Sequence, residues 1–433
     1  MRLNHLRSPN RTAHLRPLRD YQKRINKAVG EFIQDSSEQR GQVYSPTGSG
    51  KTESFGHTVH DLPVLLGTRK PLNVLIVHPR IALSTDQLER LKGMLHQEVR
   101  YISLHSGGDR VHGQSTLSFE EVKQDIAIGA PMHITFTSYD SLKKVGSYPF
   151  DLIICDEAHN LTQPQYAEAL EGLGGQKILF YTATPITAAM TDDEDASGMD
   201  SEKLFGKVIV TIEPLELIEK GYIVPPRIHL MDTKGGKASE GVNTTEIVAE
   251  AFKYQRDRFQ KTGMPFTQML VASRGYDDHR KLESQLPLLW QTVGTKNVPV
   301  FTIEADGTRL NGMEYKSRFE TLEDIRNSGK SAIIMHYDTL SEGIDVSSLT
   351  GALILRSMTK AKLLQTIGRC GRPYEGDLDD RHEPTEPQDR MKPYSIITFP
   401  SKKRKHIGGI KGSQVAMAFE QGGYGDLADY IDD

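Results

Sequence analysis

The stretch SPTGSGKT, residues 45–52, constrains this chain more than any other. It is a glycine-rich turn ending in a lysine and a hydroxyl, preceded by the apolar run GQVYS and followed by a helix-like segment. Between a strand and a helix, such a turn points backbone N–H groups inward, and Gly48 and Gly50 accept backbone angles that other residues resist. The expected ligand is a nucleotide phosphate. Thr47, Gly48, Ser49 and Gly50 would wrap it, Lys51 would reach the β- and γ-phosphates, and the Thr52 hydroxyl would ligate Mg²⁺. The strict pattern has glycine where this chain has Ser45.

Around that loop, short apolar runs alternate with amphipathic helical patterns, as in parallel sheets wrapped by helices. In the first half the expected strands are QVYS, LNVLIVHP, VRYISLH, HITFTS, DLIICDE and KILFYTA, with IALSTDQLERLKGMLH and QYAEALEGL among the helices. In the second half they are IHLMDT, TQMLVAS, VPVFTIE, SAIIMHY, GALILRS and YSIITF. TEIVAEAFKYQRDRFQKTG, DDHRKLESQLPLLWQTV, YKSRFETLEDIRNSG and KAKLLQTIGRCG are the intervening helices. Residues 191–203 read as a surface loop, and PLELIEKGYIVPP as a short helix stopping at Gly221 before two prolines. The division is therefore a basic arm over 1–17, a first domain over 18–213, a hinge over 214–227, a second domain over 228–400 and a tail over 401–433.

With 433 residues, 37% apolar and 25% charged, the chain suits two or three soluble domains. No apolar run is long enough to cross a bilayer, and the basic N-terminus lacks the apolar core of a secretion signal, so a cytoplasmic protein is expected. Cys155 and Cys370 are the two cysteines and read as intracellular thiols. Net charge is −4, which does not announce a nucleic-acid binder. Residues 1–27 nevertheless hold eight Arg or Lys against Asp20 alone, which fits either an arm beside a phosphate polymer or a solvated tail.

DLIICDEAHN (151–160) places Asp156 and Glu157 at the carboxyl end of a strand, where ligands sit in open α/β sheets. Asp156 would hold Mg²⁺, through water, and Glu157 is the candidate base that orients an attacking water. In QTIGRCGR, Arg369 and Arg372 are three apart, so on a helix they project from one face. If that face meets the nucleotide, both guanidiniums neutralise charge developing on the γ-phosphate.

In this order the motifs resemble a superfamily 2 helicase of the DEAH-box kind. LRDYQ (18–22), HPRIALSTDQ (78–87), TFTSYDSL (135–142), YTATP (181–185), LVASR (270–274), HYDTLSEGIDV (336–346) and LLQTIGRCGRP (363–373) extend the likeness from about residue 18 to about 400. The passage LFGKV…IEKGYIVPPRI is most similar to the branch holding restriction motor subunits, excision-repair helicases and phage recombination helicases.

The resemblance implies two tandem RecA-like (P-loop NTPase) domains, each a mainly parallel sheet flanked by helices, using ATP and Mg²⁺. It implies that Gln22 reads the adenine edge, and that Gly343 and Asp345 contact phosphate and ribose. Gln365 would help position water or phosphate beside the fingers Arg369 and Arg372. His159, Thr182 and Thr184 would couple ATP state to a nucleic-acid site made by Pro79, Arg80, Thr137, Ser138, Arg274 and Thr339. A monomer moving on or unwinding DNA is expected. Alternatives are RNA, translocation on duplex without unwinding, and a nucleotide-dependent clamp that scarcely hydrolyses ATP. The run KKRKH (402–406) reads as a solvated basic stretch, Trp290 as core, and His5 and His14 lack metal-ligand spacing. The acidic stretch 375–389, with seven acids against one Arg, departs from the compact link expected after QTIGRCGRP.

Overall fold

The computed structural model describes residues 15–79, 81–95, 98–104, 118–127, 130–146, 148–190, 197–232, 243–295, 297–337, 349–379, 382–401, 406–407 and 410–431. The chain divides into two compact units, the first Met1–Pro46 with Gly50–Ile212 and the second Glu213–Asp433, with which Thr47–Ser49 are grouped.

The first unit opens with α1 (Asp20–Gln34), β1 (Arg40–Tyr44), α2 (Lys51–Leu65), β2 (Leu72–His78) and α3 (Ile81–Met94). It continues with β3 (Val99–Leu104), α4 (Phe119–Ile126), β4 (Met132–Ser138), α5 (Leu142–Val145) and β5 (Leu152–Asp156). α6 (Pro164–Gly172), β6 (Ile178–Thr182), α7 (Glu202–Phe205) and β7 (Lys207–Thr211) complete it. The strands form one sheet in the order β3-β4-β2-β5-β6-β1-β7, every neighbouring pair parallel. β4, β5 and β6 are buried along their whole length, as strands covered on both faces must be. That is why β5 and β6 read as nearly continuous apolar runs, whereas β4 alternates apolar residues with His133, Thr135 and Thr137. β7 is a difference from expectation: KVIVT adds to the outer side of β1 as a largely exposed edge strand.

In the second unit come α8 (Pro214–Glu219), β8 (Pro226–Asp232), α9 (Thr244–Gln260), β9 (Gln268–Ala272), α10 (Tyr276–Ser284) and α11 (Leu286–Val293). β10 (Val300–Ile303), β11 (Thr308–Leu310), β12 (Met313–Glu314), α12 (Arg318–Asn327), β13 (Ala332–His336) and β14 (Gly351–Ile354) follow. Last are α13 (Lys360–Cys370), β15 (Ser395–Ser401), β16 (His406–Ile407), β17 (Ile410–Lys411) and α14 (Gly412–Gln421). The central strands β10-β13-β9-β14-β15-β8 are mutually parallel, and short antiparallel pieces, β11 with β12 and β16 with β17, extend the sheet.

Two elements depart from the sequence reading. The segment DDHRKLESQLPLLWQTV is two helices, not one. Pro287 lacks the N–H that a continuous helix needs, so the chain ends α10 and restarts with proline in the first turn of α11. Beyond residue 400 the chain is not a bare tail. Val415, Ala418, Phe419, Tyr424 and Tyr430 are buried in the same cluster as Ile228, Leu364 and Ile367.

Candidate active site

α2 begins at Lys51, directly after the phosphate loop that leaves the carboxyl end of β1. The Ser45 N–H donates to the Thr182 carbonyl at 2.9 Å, tying the start of the loop to β6. Phe55 of α2 packs edge-on against Tyr181 at 4.4 Å between ring centroids, which fixes the helix over that strand. Gly48 and Gly50 have φ of 86° and 75°, in the left-handed region. A Cβ on Gly50 would also lie 2.6 Å from Gln22 Nε2, so this position excludes a side chain twice over. The first N–H groups of α2 have no partners within the helix and face the loop, the arrangement that favours an anion.

Gln22 is buried, 5% exposed, and its Oε1 accepts the Arg19 N–H at 3.0 Å in a capping box for α1. It thus joins the start of α1 to the phosphate loop and is not a solvated helix-start residue.

Facing the loop is the end of β5. Lys51 Nζ lies 3.4 Å from Glu157 Oε1, with both side chains largely shielded. Glu157 has φ of 52°, a left-handed conformation uncommon outside glycine, which turns the chain sharply after Asp156. Asp156 is buried; its Oδ2 accepts from Gln87 Nε2 at 2.6 Å and its Oδ1 from the Glu157 N–H at 3.0 Å. The Tyr139 hydroxyl donates to its carbonyl. Burial first, and the adjacent Glu157 second, push the Asp156 carboxyl up to about 6, against the pull of Lys51. His78 stands 3.9 Å from Asp156 Oδ2, and burial drops its imidazole to about 3, so it brings no positive charge.

A group whose folded pKa lies above its unfolded value destabilises the ionised folded state, and the penalty fades as pH falls through that folded value. In the presence of chelator and without nucleotide, the urea midpoint should therefore gain from this group as pH is lowered from 7 toward 5. Asp156→Asn should lack that increment. A midpoint with the same pH dependence in both proteins would contradict it.

His159, Thr182 and Thr184 come together. His159 Nδ1 is 3.0 Å from Thr182 Oγ1 and 3.3 Å from Thr184 Oγ1, while the Thr184 N–H donates to Thr182 Oγ1 at 3.1 Å. Burial holds the imidazole below its usual range. Asn160 Nδ2 lies 3.3 Å from Nε2, which assigns the proton to Nδ1. The ring therefore clasps β6 from the acid pair's own turn.

The candidate strand contacts fare differently. Pro79 follows β2 and Ser138 ends β4. Thr137 donates its hydroxyl to the Leu104 carbonyl at 2.8 Å and is 1% exposed, so its side chain stitches β4 to β3 instead of facing outward. In the second unit, Arg274 is gripped by Asp278 at 2.7 and 3.0 Å and by Thr244 at 2.7 Å, with its side chain still 45% exposed. Arg80, Thr339, Gly343 and Asp345 lie outside the described residues.

α13 carries Gln365 and Arg369, both buried, on a helix whose Leu363, Leu364, Ile367 and Cys370 pack into the second core. The helix ends at Cys370, with Gly371 as its cap. Arg372 therefore lies past the helix end, and a shared helix face does not describe the two arginines.

Sequence reading missed Gln87, Tyr139 and Asn160 as members of the first site. Gln87 stands within the quoted HPRIALSTDQ stretch, but amphipathic periodicity does not separate a buried glutamine from a surface one. Among the described residues no helix is long and apolar enough to cross a membrane.

Two parallel-sheet units in tandem, with a glycine-rich turn set against acids at the end of a neighbouring strand of the first, match the architecture of tandem RecA-like helicase domains. Residues 16–187 match the family model of the Type III restriction enzyme res subunit, and residues 267–374 that of the helicase conserved C-terminal domain. Together these family-model matches, the relative and the fold similarities below support a superfamily 2 helicase related to restriction motor subunits. A relative in Schizosaccharomyces pombe, "Putative mitochondrial ATP-dependent helicase irc3", is 23% identical over 376 residues, 84% of this chain and 56% of the relative. The fold is similar to that of the ATP-dependent Type ISP restriction-modification enzyme LlaBIII bound to DNA, with TM-score 0.66 and 19% identity over 94% of this chain and 30% of that one. It is also similar to the DEAD-box helicase Mss116 bound to ssRNA and UDP-BeF, with TM-score 0.59 and 14% identity over 96% of this chain and 74% of that one. The chain thus spans a little over half of its yeast relative and under a third of the restriction enzyme.

Proposed function

We propose that this chain hydrolyses ATP to drive movement along DNA, as a helicase or translocase motor. The observation that carries the reading is the Lys51–Glu157 pair at 3.4 Å beside the buried Asp156. It sets a lysine suited to phosphate beside a carboxylate suited to orient water. Gln22 would hold adenine, Glu157 would align the attacking water, and Gln365, Arg369 and Arg372 would complete the site as the two units close on nucleotide. His159 with Thr182 and Thr184 would carry the change onward to the strand-binding residues.

The donor set fits magnesium. Two adjacent acids face one lysine, leaving an excess of negative charge where burial already opposes ionisation. Asp156 and Thr52 would hold the ion, which neutralises charge on the β- and γ-phosphates. Gln87 orients the carboxylate from behind. Gln87→Leu should accordingly raise the magnesium concentration for half-maximal hydrolysis about 10–100-fold. An unchanged magnesium requirement would remove Gln87 from the site.

The preference for DNA rests on the likeness to restriction motor subunits. ATP hydrolysis titrated in parallel with single-stranded DNA, duplex DNA, branched DNA and RNA tests it. Stimulation by DNA with a steep salt dependence is the expected result. Stimulation by RNA alone would reassign the polymer, and none by any of the four would reject the motor. Strand displacement beside triplex displacement then separates unwinding from translocation.

A further inference from the structure

The acidic stretch after α13 is folded over its described residues, 375–379 and 382–389. Leu378 bridges Pro384, the Asp379 N–H donates to the Glu383 carbonyl at 2.9 Å, and the Thr385 N–H donates to the Asp377 carbonyl at 2.9 Å. Its stem is a buried pair of charges. Asp377, 2% exposed, accepts the N–H groups of Met391 and Lys392 at 2.7 and 2.8 Å. Lys392 is 0% exposed, and its ammonium donates to the carbonyl oxygen of Arg372. Burying a lysine is costly unless it is well paired, so a cation placed there has a specific acceptor to hold.

The same backbone is held from a second side. The Gly371 carbonyl, one residue before Arg372, accepts the Val224 N–H at 2.7 Å. Val224 belongs to the turn that follows α8, and this turn is itself fastened to the acidic stretch. The Tyr222 hydroxyl donates to Glu383 Oε2 at 2.8 Å, and the Arg390 guanidinium lies so close to Gly221 that a Cβ there would be 2.3 Å from it. The described residues 221–224, 371–372, 377–379 and 382–392 thus form one connected frame within the second unit.

We propose that this acidic segment is a brace for the finger arginine, with Lys392 as the residue that positions Arg372 for ATP hydrolysis and Tyr222 as the tie that carries the turn's position to it. The proposal rests on the reading of Arg372 as a finger. A cation on the Arg372 carbonyl and an N–H on that of Gly371 fix the backbone from which the guanidinium projects, past the point where α13 can support it. A finger acts by its position in the transition state, so slack in its backbone lowers turnover and not nucleotide affinity.

The test measures kcat and KM for nucleic-acid-stimulated ATP hydrolysis, binding of a fluorescent ATP analogue and the melting midpoint, all in the full chain. Lys392→Met should lower kcat about tenfold and Tyr222→Phe about threefold, each leaving KM within about twofold. Neither substitution should slow the Arg372→Ala protein further, because the brace has then lost its object. A merely structural role would lower the melting midpoint and leave kcat per folded molecule unaltered, and that result overturns the proposal. Should Lys392→Met fail to fold, Tyr222→Phe decides, since its hydroxyl is at the periphery of the frame; unaltered kcat there overturns the proposal as well. If Arg372→Ala leaves stimulated hydrolysis intact, the finger reading fails and the brace with it. If Arg372→Ala abolishes hydrolysis while the other two do not affect it, the brace alone is overturned.

Discussion

Arg372→Ala is expected to lower nucleic-acid-stimulated ATP hydrolysis by about 10³–10⁵-fold while leaving ATP binding within about twofold. The guanidinium contributes most when negative charge spreads over the transferring phosphoryl oxygens, and it adds little to the ground state that binding measures. Arg372 sits beyond the end of α13 with its carbonyl held by Lys392, so its removal leaves the helix cap at Gly371 and the core beneath it untouched. Phosphate release with and without DNA, set beside fluorescent-nucleotide titration, separates the two quantities. Parallel loss of binding and hydrolysis would make Arg372 a simple nucleotide ligand and not a finger.

Glu157→Gln should slow hydrolysis about 10²–10⁴-fold, the range expected when a positioned base is lost. Its effect on binding has the opposite sign from that of an ordinary site mutation. Glu157 Oε1 lies 3.4 Å from Lys51 Nζ, so the carboxylate competes with phosphate for the lysine. The amide, which carries no charge, releases Lys51 and reduces the negative charge around Asp156. ATP affinity should hold or rise, producing a protein that traps nucleotide without turning it over. Weaker ATP binding in Glu157→Gln would show that Glu157 supports the phosphate loop and does not compete with it.

How much was legible in the sequence follows from burial. Strands covered on both faces, such as β5, β9 and β13, read as nearly continuous apolar runs and could be located by eye. β7 hid because an edge strand has one solvated side and takes on charge, as Lys207 shows. The pieces β11, β12, β16 and β17 are two or three residues long, too short for any period to register. α14 carries no basic residue and one acid, Glu420, so GSQVAMAFEQ lacks the polar face that marks an amphipathic helix. The glycine-rich turn and the acid pair could be singled out because the chemistry proposed for them demands particular residue types at fixed spacing. Gln87 and Lys392 were not, because what defines each is a single hydrogen bond across long sequence separations, to Asp156 and to the Arg372 carbonyl.

The parallel bridge between Ile228 and Ile431 brings the far end of the chain back to the first residues of β8. A polypeptide fused after residue 431 would be tethered beside β8 of the second unit. Cargo attached there would ride on that unit, and short linkers would suffice to keep it near β8.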